Sequence, residues 1–495
     1  MSNDKSKDSR TRGPFQKFAI EVILVAIAQF FSRGRGLIVL PIIAKSLGVV
    51  NYGIYSQVLV TIGLFSPFAL LGLHTGMRRL LPGEKDEQKV KSVFWAALAI
   101  IMFNSLVLVG GLYLFSPLLV EGVFKVDEAV FFLRVAAILI PVFVINQVFL
   151  EYFVVFKQSR KYMYLSLLKD ITFIGLVAYF LLSRGGGILA LIIISIVTTA
   201  LCLFISAFII IRQLGLCLPR LSGIKGLKPY FEVSLPLFIG GYGQWIVHSS
   251  DRYVIGYFMN MASVGIYSLV YTLCGTIIVL SGPIYFVLLP TISRLWDNDK
   301  KDEVKTYLKY TLKYIFILLV PAAFGLSVLG KQILEVLATA DFTVGWFLIP
   351  IIASGMVILQ SLSGVEYVLI LVKRTDIILK VVMLTAVENI ILNIILVPVL
   401  GILGAGIATF ITYLTLAVII WKVAARYLRV GLDYLLIGKV VFASVLMSLG
   451  VYFFNFEGIS GLLITILAGA LLYFLILFIL KGISIREIKL IVGKG

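Results

Sequence analysis

The chain has 495 residues, of which 60% are hydrophobic and only 14% charged, with a mean hydropathy of +1.07. A soluble globular domain is about half apolar and about a quarter charged, so this composition excludes one and specifies a polytopic α-helical membrane protein. A net charge of +18 suits nucleic acid only if it is gathered on one face, so its distribution along the chain has to be read first.

Apolar stretches of about 20 residues suffice to cross a hydrocarbon core about 30 Å thick. Fourteen are predicted, at 18–44, 54–77, 92–119, 128–151, 162–183, 187–211, 230–259, 264–290, 308–330, 345–371, 376–398, 402–424, 434–455 and 460–480. Lys and Arg alternate strictly across them. Lys5, Lys7, Arg10, Arg12 and Lys17 precede the first segment. Arg78, Arg79, Lys85, Lys89 and Lys91 follow the second, and Lys157, Arg160 and Lys161 follow the fourth. The same side then carries Arg212, Arg220, Lys225 and Lys228, next Arg294, Lys300, Lys301 and Lys305, and next Lys373 and Arg374. Lys422, Arg426 and Arg429 follow the twelfth segment, with Lys481, Arg486, Lys489 and Lys494 at the end. The intervening gaps hold only Lys45, Lys125, Arg184 and Lys331. Cytoplasmic loops carry the excess of Lys and Arg, so the charge is a topology signal. Both termini are expected in the cytoplasm, as tails over 1–17 and 482–495, and the protein is expected in the cell membrane. Membrane lipid is an expected partner and nucleic acid is not.

Three echoes lie close to one diagonal. Gly53-Ile54-Tyr55-Ser56 recurs at Gly265-Ile266-Tyr267-Ser268, 212 positions on. Glu151-Tyr152 recurs as Glu366-Tyr367, offset 215, and Gly187-Ile188-Leu189 as Gly401-Ile402-Leu403, offset 214. They predict two pseudo-symmetric six-helix bundles, over 18–215 and 226–425, with two additional C-terminal helices over 430–481. Six spans are an even number, so both halves enter the membrane in the same sense, with a substrate path expected between them.

An ionisable group at the centre of a spanning helix costs about 2.5–3.5 kcal/mol to insert, so it faces protein or a wet cavity and marks candidate function. Arg33 and Arg35 flank Gly34 in the first segment; two like charges with no acidic neighbour point to an anion-accepting cavity. Arg252 in the seventh segment and Arg134 in the fourth are further candidates for an anionic head group. Asp251 and Arg252 project about 100° apart on a helix, so each is expected to pair with another residue, and a structural ion pair competes with a functional role. His248 sits one turn earlier and reads as a hydrogen-bonded helix residue before it reads as a ligand. Asp251, Glu388 and His248 are the candidates for coupling or gating, with H⁺ or Na⁺ as the ion. Glu151 and Glu366, at inner helix ends, are expected to pair with nearby Lys or Arg. Gly401, Gly404 and Gly406 read as packing residues, whereas Gly240, Gly241 and Gly243 read as either a bend or a packing site.

With two histidines in the chain, an HExxH zinc site is ruled out, and no Gly-Lys is followed by Ser or Thr, so there is no Walker A loop. Cys202, Cys217 and Cys274 show no metal or disulfide spacing. No cofactor and no metal are therefore expected. The gaps between segments are too short to house a catalytic domain, so the expectation is a transporter and not an enzyme.

Pro236, Asp251-Arg252, Gly256, Val264-Gly265-Ile266-Tyr267-Ser268, Tyr271, Pro290 and Ser293-Arg294-Leu295 form an ordered set that resembles the middle of the polysaccharide-export (Wzx-type) flippases. Leu47-Gly48 with Tyr52 to Ser56, and Pro398 with Gly401 to Ala405, resemble two further junctions of that family, so the similarity covers roughly 18–425. The family lies in the multidrug/oligosaccharidyl-lipid/polysaccharide exporter superfamily. The resemblance implies alternating-access transfer of a polyprenyl-diphosphate-linked oligosaccharide from inner to outer leaflet, for O-antigen or exopolysaccharide synthesis. Glycan polymerase or ligase proteins are then expected partners. A lipid II flippase, a cation-coupled small-molecule antiporter and a membrane glycosyltransferase or ligase stay open as alternatives.

Overall fold

A computed structural model of the protein describes residues 14–217, 226–453 and 458–482. Most of the two predicted tails, at 1–13 and 483–495, and Arg220 and Lys225 lie outside the described residues, as does the side chain of Arg33. Among the described residues there are sixteen α-helices. They are α1 (Pro14–Leu70), α2 (Leu73–Leu80), α3 (Glu87–Leu119), α4 (Glu128–Ala137), α5 (Leu139–Val155), α6 (Ser159–Ala178), α7 (Ile188–Leu214) and α8 (Lys228–Phe258), followed by α9 (Met261–Gly275), α10 (Ile277–Asp297), α11 (Lys301–Leu337), α12 (Leu348–Leu371), α13 (Thr375–Leu400), α14 (Ile402–Ala424), α15 (Tyr434–Phe453) and α16 (Gly458–Ile479).

Among the described residues, twelve helical spans are long and apolar enough to cross a membrane. The first of them, Ile27–Leu70, covers most of two predicted segments, because Gly48 at φ 69° and ψ 178° breaks the helical path of α1. A side chain at that φ would be strained. The charged helix α8 is not among the twelve, yet its 31 residues at about 1.5 Å each are long enough to cross. All fourteen predicted segments thus fall on helices. Three of them, 54–77, 128–151 and 264–290, are each divided into two helices, at Leu71 and Gly72, at Ile138 and at Thr276.

The chain forms two compact units, and all but one of their limits fall inside helical stretches. The first comprises Met1–Ser46, Val58–Glu121 and Val126–Gly241, and the second Leu47–Gln57, Gly122–Lys125 and Tyr242–Gly495.

In the first unit, Asp86 starts α3 by accepting the amides of Gln88 at 2.9 Å and Lys89 at 3.3 Å, which satisfies two donors that a helix start otherwise leaves orphaned. Trp95 Nε1 donates to the Gly215 carbonyl at 3.0 Å and so ties α3 to the end of α7. Gly76 on α2 lets the backbone of α8 approach closely: a Cβ there would lie 2.8 Å from the Tyr230 carbonyl oxygen.

In the second unit, the repeated tetrapeptides meet one another. A Cβ on Gly53 would overlap the Met261 carbonyl, and one on Gly265 would overlap that of Val49; each would also sit 3.0–3.1 Å from the other glycine's amide nitrogen. The echo therefore has a packing cause, a backbone-to-backbone helix crossing that only glycine permits. Around it, α12 is the central helix, packed on α9, α10, α11 and α14. The two C-terminal helices pack on α11, where the buried Tyr473 hydroxyl donates to the Ile317 carbonyl at 2.9 Å. Gly404 admits the turn of backbone at Leu396, and Gly243 is filled against Val382 and Met383 on α13, so both act in packing; Gly241 has open space.

Candidate functional site

The charged residues buried in each unit need partners there, and their partners define two separate polar clusters. In the first unit, α1 and α6 bring Arg35 to Asp170. Arg35 donates from a guanidinium nitrogen to Asp170 Oδ1 at 2.9 Å, and Ser32 donates to Oδ2 of the same carboxylate. The guanidinium also lies 4.5 Å from the centroid of the Phe173 ring, one turn further along α6. Asp170 is buried, while about a third of the Arg35 side chain, 32%, stays exposed. The expectation that Arg33 and Arg35 lack an acidic neighbour is therefore corrected for Arg35. Its acid comes from a helix 135 residues away in sequence, which no local reading can supply. With one carboxylate engaging one edge of the fork, Arg35 keeps further donors on its exposed edge.

Arg134 lies apart from this pair. Its guanidinium sits 4.4 Å over the Tyr113 ring, with Nε 3.2 Å from Ser116 Oγ and 3.3 Å from the Tyr113 carbonyl. Those contacts bind it to α3 as a packing residue. Arg78 and Glu151 pair at 3.6 Å, as expected for Glu151.

In the second unit, α8, α9, α13 and α14 surround a buried network. Asp251 is 0% and Arg252 6% exposed. Contrary to the expectation from their 100° separation, they pair with each other: Arg252 donates from its backbone amide at 2.8 Å and from its guanidinium at 3.1 Å, both to Asp251 Oδ1. The long Arg side chain folds back over its own helix, donating to the His248 carbonyl at 2.8 Å, and also donates across to Ser268 Oγ on α9 at 3.2 Å. Tyr267 donates to Asp251 Oδ2 at 2.5 Å, and the Tyr271 ring faces the guanidinium at 4.5 Å. Both charges are saturated inside the protein.

Further polar contacts lie on the same four helices. His248 Nδ1 lies 3.0 Å from the Tyr271 hydroxyl and 2.8 Å from that of Tyr413, and the two hydroxyls are 2.7 Å apart. Ser250 donates to Asn389 Oδ1 at 3.0 Å, Asn389 Nδ2 to Thr412 at 3.1 Å, and Asn393 Nδ2 to the Asn389 carbonyl at 2.8 Å. Glu388 is half-buried and accepts from Thr415 at 2.9 Å. Sequence reasoning singled out His248, Asp251, Arg252 and Glu388, whereas Tyr267 and Tyr271 entered only as letters of a motif and Tyr413 did not enter. Among 23 tyrosines, nothing local separates a network hydroxyl from an interface ring. Among the described residues, no cluster of three or more His, Cys, Asp or Glu could hold a metal ion.

Comparison with known proteins agrees with this architecture. Residues 19–296 match the family model for polysaccharide biosynthesis proteins, and residues 260–481 match that for the lipid II flippase MurJ. A probable low-salt glycan biosynthesis flippase of Haloferax volcanii, Agl15, is 25% identical over 263 residues, covering 52% of this chain and 54% of that one. A probable flippase of the same organism, AglR, is 28% identical over 171 residues, covering 33% and 34%. The chain thus spans about half the length, or less, of the curated relatives it matches. In three dimensions it superposes on the lipid II flippase MurJ in an inward closed conformation with a TM-score of 0.75, at 18% identity and over 92% of this chain and 98% of that one. An inward-facing multidrug resistance transporter of the MATE family gives 0.67 at 14% identity, over 82% and 97%. The fold is that of these MurJ and MATE structures, and the chain belongs to the family of polysaccharide biosynthesis proteins.

Proposed function

We propose that the protein is a flippase that carries a polyprenyl-diphosphate-linked oligosaccharide from the inner to the outer leaflet by alternating access, for surface polysaccharide synthesis. The observation that carries this reading is the family match over residues 19–296. The similarity to named glycan and lipid II flippases supports it. The Lys and Arg alternation supports an orientation with both termini cytoplasmic. The three sequence echoes support two six-helix repeats, at 18–215 and 226–425, followed by two C-terminal helices.

A diphosphate needs cationic donors that are not already consumed. Arg35, with its exposed edge, and its neighbour Arg33 are the residues assigned to the head group. Arg252 is spent inside its own network and acts as a structural cation, and Arg134 acts in packing. Asp251 is structural as well, since Arg252 and Tyr267 occupy both of its oxygens.

Deletion of the gene followed by lipid extraction tests the proposal. Prenyl-linked oligosaccharide should accumulate facing the cytoplasm; unchanged lipid intermediates with normal surface glycan would refute it. The match of residues 260–481 to the lipid II flippase model favours one second reading, in which the cargo is the peptidoglycan precursor. Accumulation of lipid II in the deletion strain, with glycan intermediates unchanged, decides for that reading.

A further inference from the structure

The second unit contains a cavity of about 350 Å³ between the first turns of α11 and the start of α15. Thr306, Lys309, Tyr310, Lys313 and Phe316 line it from α11, at the spacing of three and four residues that places side chains on one face of a helix. Asp433, Leu436 and Ile437 line it from the start of α15. The volume falls within the range of about 300–1,000 Å³ usual for small-molecule sites.

The two helices fix its level in the membrane. The apolar segments predicted at 308–330 and 434–455 both begin within the cavity lining, so the cavity lies where water gives way to hydrocarbon. Tyr307, Tyr310 and Tyr434 are exposed at the same level, as rings of an interfacial belt are. Along each helix the lining changes character in the same direction. Lys309 and Asp433 come first; Phe316 lies about 10 Å further along α11 than Lys309, and Leu436 and Ile437 lie one turn beyond Asp433. The cavity therefore has a charged end at the water and an apolar end toward the bilayer. That is the polarity of a lipid, whereas a free anion has no use for the apolar end.

The donors decide which lipid. Lys309 is exposed and, among the described residues, has neither an ion pair nor a hydrogen bond. The nearby acids Glu303 and Asp299 are held by Lys300 and Lys301, each at 2.8 Å. Lys313 has a further contact of its own, so Lys309 is the principal cation of the cavity. Thr306 spends its proton on the Asp302 carbonyl at 2.9 Å and offers only lone pairs. Asp433 caps α15 by accepting the Leu436 amide through Oδ1 at 3.0 Å, which leaves its second oxygen to accept a hydroxyl. A carboxylate in the lining repels a dianion such as inorganic phosphate or a diphosphate. A phosphodiester with one negative charge and a hydroxylated head satisfies both signs.

We propose that this cavity is the site of a resident anionic phospholipid with a hydroxylated head group, of the phosphatidylglycerol type. Lys309, with Lys313 and the Tyr310 hydroxyl, holds the phosphodiester, Asp433 accepts the head-group hydroxyl, and an acyl chain leaves along Phe316 and Ile437. Basic pockets between spanning helices on the cytoplasmic side bind anionic lipid heads by this chemistry. The site stands on the cavity, and its placement in the inner leaflet rests on the Lys and Arg alternation.

Native mass spectrometry of the purified full-length protein in dodecylmaltoside, titrated with phosphatidylglycerol, tests the proposal. The wild type should retain one phosphatidylglycerol more tightly than any phosphatidylethanolamine with the same chains. Lys309→Gln should weaken that first binding step about fivefold, the effect of one Lys near an anionic surface. Lys309→Arg should keep it, and Lys380→Gln, which removes an exposed charge from α13, should leave it unchanged. Asp433→Asn should narrow the preference for phosphatidylglycerol over phosphatidic acid, whose head carries more charge and no glycerol hydroxyl. Equal retention of phosphatidylethanolamine, or equal effects of Lys309→Gln and Lys380→Gln, overturns the site in favour of general attraction to a basic surface. Displacement of phosphatidylglycerol by inorganic phosphate overturns it in favour of a free-anion site, and displacement by farnesyl diphosphate overturns it in favour of the cargo. No transport is measured, so the lipid site and the flippase reading fail separately.

Discussion

Replacing Arg252 with leucine strips the Asp251 carboxylate, 0% exposed, of its counter-ion and also removes the bonds to Ser268 and the His248 carbonyl. Breaking a buried ion pair by deleting one partner costs about 3–5 kcal/mol, because the survivor stays charged and desolvated. Asp251→Asn in the same chain removes that orphaned charge while keeping an acceptor for the Tyr267 hydroxyl. The double variant Asp251→Asn/Arg252→Leu should therefore recover most of the loss, with a coupling of at least about 2 kcal/mol. Equilibrium unfolding in mixed dodecylmaltoside–SDS micelles, followed by the fluorescence of the five tryptophans, measures it. A loss below about 1 kcal/mol in Arg252→Leu, or losses that simply add in the double variant, would refute the assignment of a saturated structural pair. Glycan export should return with stability in the double variant. A stably folded double variant that cannot export would place Arg252 at the cargo instead.

Gly265→Val should destabilise by about 3 kcal/mol, the upper end of overpacking costs, since the atoms it meets are backbone and cannot move aside. Gly34→Ala, with nothing within 4 Å, should be neutral or stabilise by up to about 1 kcal/mol in the same unfolding assay. Arg35→Gln should cut glycan export at least about tenfold, the equivalent of about 1.4 kcal/mol, with normal expression, whereas Arg134→Ala should leave export unchanged and cost at most about 1 kcal/mol. Export by Arg35→Gln at the wild-type rate would remove it from the head-group site. Tyr473→Phe, which leaves the Ile317 carbonyl without its donor, should cost about 1 kcal/mol without loss of export, read from the unfolding midpoint and surface glycan.

The positions of the fourteen apolar segments were readable because crossing a bilayer is a cost summed along the chain, residue by residue. The same one-dimensional arithmetic flagged Arg35, Asp251, Arg252 and Glu388 as expensive, and each proved to have a partner within its own unit. What these charges do could not be read in that way. Arg35 looked unpaired until α6 delivered Asp170, and Glu366 looked pairable until the fold left it facing a cavity while Glu151 met Arg78. The Gly-Ile-Tyr-Ser echo was visible as a repeat, yet only the crossing of Gly53 over Gly265 shows why a side chain there is forbidden. The sequence alone determined where the helices run and which residues could not face lipid, since insertion depends on composition over about 20 neighbours. Which charge is neutralised, and by what, was decided by the tertiary structure alone, because electrostatic and packing energies act over a few ångströms between helices far apart in the chain.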